Sequence, residues 1–371
     1  MSVYARNEND AMNGAGRLLA NAAQAARGAD ARLNAVMNDL FLADEHRPND
    51  RQRVIMARLL KQVVGDVEAD LRADLLAIWG DEIPLQLAAV LGTARVEIAG
   101  PILARANLLR DAQFVRLLLD RAEEHRIVSA LRRMSSVDPE GTPQGALGFD
   151  SADTDGAALE MAVLIAESRR FDRAQDPVLV ARDLPADVQH KLLWSVAAAL
   201  RDYIIGNHGL AAAQVDPVII RAAMRGLANH DEGEGLDSVT ERLARYREAR
   251  GQGTDQALYN ALRAGRFTLF VAMLAVRARI DRQDAFAMAS DAHMERLTIL
   301  LRAIDVERDM AASILSDLAV VNGLSEARLA DQIDDFSALR SDEAKEALQP
   351  WQLDRGYRDA IAAIDAGLSG R

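Results

Sequence analysis

The chain of 371 residues contains no cysteine. Disulfides, thiolate catalysis and cysteine-based zinc sites are therefore excluded. Proline is scarce, at nine residues, and glycine is dispersed, which leaves few breaks for a helical pattern. Aromatic residues make up only 4%. A core must then be built from Leu, Ala, Ile, Val and Met, which suits close helix packing better than sheet formation. No stretch approaches the about 18 consecutive apolar residues of a membrane span. The richest, Phe267 to Val276, is far shorter. Met1 to Asp30 is polar and Ala-rich with no apolar secretory segment. These absences lead us to expect no membrane insertion and a reducing, cytoplasmic location.

Lysine is almost missing. Lys61, Lys191 and Lys345 are the only three, so nearly all of the 44 basic residues are arginine. Guanidinium recognises carboxylate and phosphate better than ammonium, but abundant alanine favours codon bias, with solvated or locally paired surface arginines, as the reason. The formal net charge of −12 argues against nucleic acid or an anionic membrane surface as partner, since both require a basic footprint.

What is present is helical periodicity. Half of the chain is hydrophobic, and its apolar residues recur at three and four. Leu33, Val36, Met37 and Leu40 mark one N-terminal helix face, and Asn49 or Asp50 can cap the helix that follows. Gly65 and Asp66 read as a helix boundary. Segments starting near Asp66, Arg95 and Glu123 each read as a helix start, spaced by about 28–29 residues, with shorter helices near Pro84 to Leu91 and Asp111 to Leu119. The expected architecture is all-α: stacked helical hairpins, a HEAT-like α-solenoid or multi-helical array, preceded by an N-terminal helical segment.

Met134 to Gly156 is rich in Gly, Pro, Ser and Asp and reads as a loop insertion. Asp155 is the expected cap of the helix beyond it. Asp183 and Pro185 read as an N-cap and first turn, followed by Val188, Leu192, Val196, Leu200 and Ile204 at a spacing of four. Gly206 and Gly209 end that helix. Pro217 to Ile220 is the best short strand candidate, although Asp216 reads as a helix cap. A hinge is expected at His230 to Gly235. Leu262 to Ile280 reads as one buried central helix, and Asn322-Gly323 as a helix stop. Tyr357, Ile361, Ile364 and Leu368 suggest a terminal amphipathic helix. The domain boundaries expected are 1–64 for an N-terminal bundle or dimerisation segment, 65–205 for the hairpin domain and 206–371 for a C-terminal helical domain.

Candidate chemistry is thin. His46, in Glu45-His46-Arg47-Pro48, resembles the phospho-accepting segment of sensor histidine kinases, where the order is His-Glu-x-Arg-x-Pro; here the order is inverted and no nucleotide-binding box follows. His125, with Glu124, Arg132 and Arg133, forms a candidate partner-binding patch or an alternative phospho-acceptor; a helix-start histidine paired with acids explains it more simply. His190, His208, His230 and His293 lack metal-ligand spacing. Ser151 to Gly156 fails as a calcium loop, because Ser151 and Ala162 occupy positions that need acids. Gly251 to Gly253 lacks the lysine of a phosphate loop. No catalytic, cofactor or metal residue is expected.

Read together, Leu59 to Leu76, Val96 to Leu109 and Ala122 to Arg133 resemble the alphaproteobacterial family of domain of unknown function 2336. Val67, Glu68 and Arg72 match its first element, Ala99, Pro101 and Leu103 its second, and His125 with Arg132 or Arg133 its third. Ala264 to Phe270 also looks familial. The resemblance implies helical-repeat architecture and a bacterial origin, and no activity. The expectation is a non-catalytic scaffold or protein-interaction module with a protein partner, which can also dimerise through its N-terminal or C-terminal helices. The alternatives are a histidine-phosphotransfer component using His46 or His125, and an enzyme with a site in an inter-domain groove.

Overall fold

The computed structural model describes residue 18 and residues 51–93, 96–137, 153–358, 360, 361 and 364. The N-terminal helix face read from Leu33 to Leu40, the capping candidates Asn49 and Asp50 of the helix that follows, and His46 lie outside the described residues. In chain order the helices are α1 (Arg51–Trp79), α2 (Leu85–Leu91), α3 (Ala99–Arg105), α4 (Ala112–Val137), α5 (Thr154–Ser168), α6 (Ala186–His208), α7 (Ala212–Ala228) and α8 (Leu236–Ala249). They continue with α9 (Asp255–Arg263), α10 (Phe267–Ala278), α11 (Arg282–Ala289), α12 (Glu295–Ala303), α13 (Arg308–Asn322), α14 (Glu326–Ala338) and α15 (Ser341–Leu348). Among the described residues there is no strand, only a bridge between Phe171 and Pro177. The protein is all-α.

These helices divide into two compact units that exchange chain. One takes the described residues from 51 to 122 and residues 164–239; the other takes residue 18, residues 123–137 and 153–163, and the described residues from 240 onward. In the first unit α1 is the long central element. Met56, Leu59, Val63, Val67, Leu71 and Leu75 are all buried along it at helical spacing. They meet α6 and α7, whose inner faces carry Val188, Val196, Leu200, Val215 and Ile219. In the second unit α10 is the core. Its residues Phe267 to Ala275 are buried without interruption, and α9, α11 and α12 pack around it.

Several boundaries differ from the sequence reading, each for a physical reason. Gly65 does not end a helix but sits inside α1. A mid-helix glycine costs about 1 kcal/mol relative to alanine, and the buried neighbours Val63, Val64 and Val67 outweigh it. Glu123 likewise lies inside α4. The 28–29-residue spacing therefore does not repeat helix starts. The boundary expected at 64/65 falls within α1 and that at 205/206 within α6. The insertion expected over 134–156 is helical up to Val137 and from Thr154; residues 138–152 lie outside the described residues.

Capping also departs from expectation. The N-cap of α6 is Pro185, and Asp183 is a buried ion-pair partner instead. Asp153, rather than Asp155, accepts the Gly156 N–H at 3.0 Å and caps α5. Pro217 lies inside α7, and Asp216 is paired with Arg201, so this stretch is neither strand nor cap. The buried helix expected over 262–280 is two helices. Gly265, at φ +68°, turns the chain between α9 and α10. The stops at Gly209 and Gly323 stand as read, each in the left-handed conformation, whereas Gly206 lies inside α6.

Candidate functional site

The second half of α4 carries the patch proposed from sequence. Glu124 is buried, and its carboxylate accepts the Thr268 hydroxyl of α10 at 2.7 Å. His125 is 6% exposed, with Nε2 3.5 Å from the Ser129 hydroxyl. Arg132 and Arg133 are exposed. Seven residues turn a helix by nearly two turns, so His125 and Arg132 share a stripe. Their burial differs because different groups cover them. Opposite Arg132 lies Gly265, so close that a Cβ there would sit 3.2 Å from Arg132 Cγ. The arginine stem crosses this bare backbone. The four residues thus do not form one surface, and a phosphoryl donor would meet a buried imidazole at His125.

The buried charges are arginines far more than the sequence reading anticipated. Arg72, Arg121, Arg170, Arg263, Arg266 and Arg296 are buried, while all three lysines are exposed. The geometry explains the preference. Arg121 donates from Nε to the Val178 carbonyl at 3.1 Å and from Nη2 to the Arg170 carbonyl, with its plane over the Phe171 ring. A single ammonium cannot span such separated acceptors. Arg170 pairs with Asp183 at 3.1 Å, and the same carboxylate accepts the Leu236 N–H that opens α8. Glu160 of α5 lies between Arg247 and Arg266. Arg263 faces Asp317 at 3.4 Å, whose carboxyl is pushed up by burial against the pull of Arg263.

A further network joins two of the motif elements read from sequence. The Glu68 carboxylate on α1 accepts the backbone N–H groups of Ile98 at 3.0 Å and Ala99 at 2.9 Å. These are free amides at the start of α3, where a negative charge is favoured. Arg72, one turn along α1, pairs with Glu68 and donates to the Thr93 and Val96 carbonyls. Glu68 and Arg72 therefore hold the loop that enters α3, which is a structural role. Elsewhere, among the described residues, no three His, Asp or Glu side chains gather as a metal ion would require. Among the same residues no helix is long and apolar enough to cross a membrane.

Comparison with known families adds one finding. The model of a family described as uncharacterised proteins conserved in bacteria (DUF2336) matches residues 157–349, just over half of the chain. The chain belongs to the DUF2336 family. No curated protein and no solved structure matches it. The matched segment contains Ala264 to Phe270 but lies downstream of Glu68, Arg72, Pro101 and His125, the residues on which the resemblance chiefly rested.

Within the DUF2336 segment, α7 is apolar on two opposite faces. Val215, Val218, Ile219, Ala222 and Ala223 point into the core. Diametrically opposite, Ala213, Pro217, Ile220, Met224 and Ala228 are all exposed. Ile220 is 50% and Met224 55% exposed. Sequence reading missed this face because it took Pro217 to Ile220 as a strand candidate. The signal was available: steps of four, three, four and four place these five residues within about 80° of helix rotation. Polar groups flank the stripe. Asp216, its carboxyl held down by hydrogen bonding to Arg201, lies on one side, and exposed Arg221 and Arg225 lie on the other.

Proposed function

We propose that this chain is a non-catalytic protein-interaction module of the bacterial cytoplasm, which docks a protein partner through the outer face of α7. The observation that carries the reading is the half-exposed Ile220–Met224 pair at the centre of an all-apolar stripe. Isolated exposed apolar residues need no explanation, but a contiguous stripe rimmed by charge is the usual form of a docking surface. The buried carboxylates support the same reading. Glu68, Glu124, Glu160 and Asp183 each hold an arginine, a hydroxyl or a helix start within their own unit, so they serve the fold. The phosphotransfer alternative draws no support from His125, whose imidazole is buried.

The test is affinity capture from native cytoplasm with the tagged full chain, compared with its Ile220→Asp/Met224→Asp variant. Both positions are exposed, so circular dichroism and thermal midpoint are expected to match wild type. A specific protein captured by wild type and lost at least about tenfold by the variant, a change of 1.4 kcal/mol, supports the reading. Identical captured proteins from both overturn it.

A further inference from the structure

The outer face of α7 carries more than hydrophobicity. Ala213, Pro217, Ile220, Met224 and Leu227 repeat with steps of four, three, four and three, the a/d spacing of a two-stranded coiled-coil seam. Leu227 is half-buried at the edge of the exposed stripe. Asp216 immediately precedes the seam position Pro217, and Arg221 immediately follows the seam position Ile220. These are the two flanking positions that face each other, five residues apart, when identical helices pair in parallel and in register. Asp216 already pairs through both carboxylate oxygens with Arg201 of its own chain, from Nε and, at 3.3 Å, from Nη2, and it keeps 40% of its side chain exposed, where a second arginine can reach it. Arg221 is exposed.

We infer that α7 pairs in parallel with α7 of a second copy of this chain, about a twofold axis along the Ala213–Leu227 seam, with Asp216 of each copy facing Arg221 of the other. The inference rests on the reading of this face as a protein-docking surface and commits it to one occupant. Charge favours the parallel arrangement specifically. In antiparallel pairing like flanks meet, so Arg221 would face Arg221 and Asp216 would face Asp216, which is repulsive. The seam is short. From Ala213 to Leu227 it runs about 21 Å, and one helix face about 10 Å wide covers roughly 200 Å². A standard interface covers about 800 Å² per partner, so the pairing is weak and concentration-dependent.

Sedimentation equilibrium of the full chain from about 1 to 500 μM tests the inference, with charge-swap variants read beside wild type. Wild type is expected to move from monomer to dimer across this range. Arg221→Asp is expected to weaken the dimer about tenfold, since each dimer holds two such exposed pairs. Adding Asp216→Arg to Arg221→Asp, in a chain that also carries Arg201→Gln so that the new arginine meets no like charge from its own chain, is expected to restore the dimer. The chain has no cysteine, so Ile220→Cys gives a single thiol at the seam, and mild oxidation is expected to link two copies. A wild type that stays monomeric throughout, or a dimer indifferent to Arg221→Asp, overturns self-pairing. If the chain is monomeric while Ile220→Asp/Met224→Asp still loses a different protein in native capture, self-pairing alone fails and the docking surface stands. If both are unchanged, both readings fail.

Discussion

Replacing Glu68 by glutamine tests whether the Glu68–Arg72 motif is a structural clamp. The side chain keeps its shape and loses its charge. Its one remaining oxygen can accept from Ile98 or Ala99 but not from both, and the new amide group, a donor, is turned toward the other N–H. Removing a charge-assisted hydrogen bond costs about 1.5–3 kcal/mol. Arg72, buried against Glu68, loses its counter-charge, and breaking a buried pair typically costs about 3–5 kcal/mol in all. The two figures overlap, so the expected loss is about 3–5 kcal/mol. A chain of two compact units need not unfold in one step. Urea unfolding at pH 7 should therefore be read together with hydrogen exchange at the Ile98 and Ala99 amides, which lose protection first. Glu68→Gln combined with Arg72→Met is expected to cost at least about 1.5 kcal/mol less than the sum of the single variants, because they share one network. A loss below about 1 kcal/mol, unchanged exchange at both amides, or strict additivity would refute the clamp.

Gly265→Ala is expected to destabilise by about 1–2 kcal/mol, because φ is +68° there and the added Cβ would crowd Arg132 Cγ at 3.2 Å; a thermal midpoint equal to wild type would contradict the close approach of α4. The Asp153 carboxyl is held below its ordinary value by the Tyr246 hydroxyl first and the Gly156 amide next. A depressed folded-state pKa adds stability that is present above the unfolded value, about 3.9, and is lost as pH falls through the folded value. Asp153→Asn should then lower the thermal midpoint at pH 7 and converge on wild type as the medium is acidified below pH 4, whereas a gap that stays constant or widens would remove the charge from the explanation.

Legibility from sequence followed the number of independent signals at each place. α6 was plain because five apolar residues at a spacing of four run into a left-handed glycine. Gly323 was plain for the same reason. Asp183 was misread because a carboxylate before proline satisfies the local capping rule, while its actual partner, Arg170, is a tertiary neighbour. Gly65 was misread because propensity is a weak prior and burial on either side overrides it. The arginine bias was legible as composition but not as chemistry. Its use in bridging separated carbonyls, as at Arg121, depends on loops brought together from residues 170 and 178. The exchange of chain between the two units was beyond any local signal, since the pairing of α1 with α6 and α7 spans more than a hundred residues.

The extent of the family match bears on where function sits. The DUF2336 segment opens inside α5 and takes in α6 and α7, yet the inner faces of α6 and α7 rest on α1, outside the match. The segment is therefore not self-sufficient, because one apolar side of its helices is closed only by the chain that precedes it. That accounts for Val196, Leu200, Val215 and Ile219, all buried in the shared core. It does not account for Ile220 and Met224, which stay half exposed. An apolar face costs free energy in water at roughly 25 cal/mol per Å², and here the unit's own core takes only one side of a helix that is apolar on both. The uncovered side is the face on which the proposed partner is placed, since covering it would remove that apolar area from water.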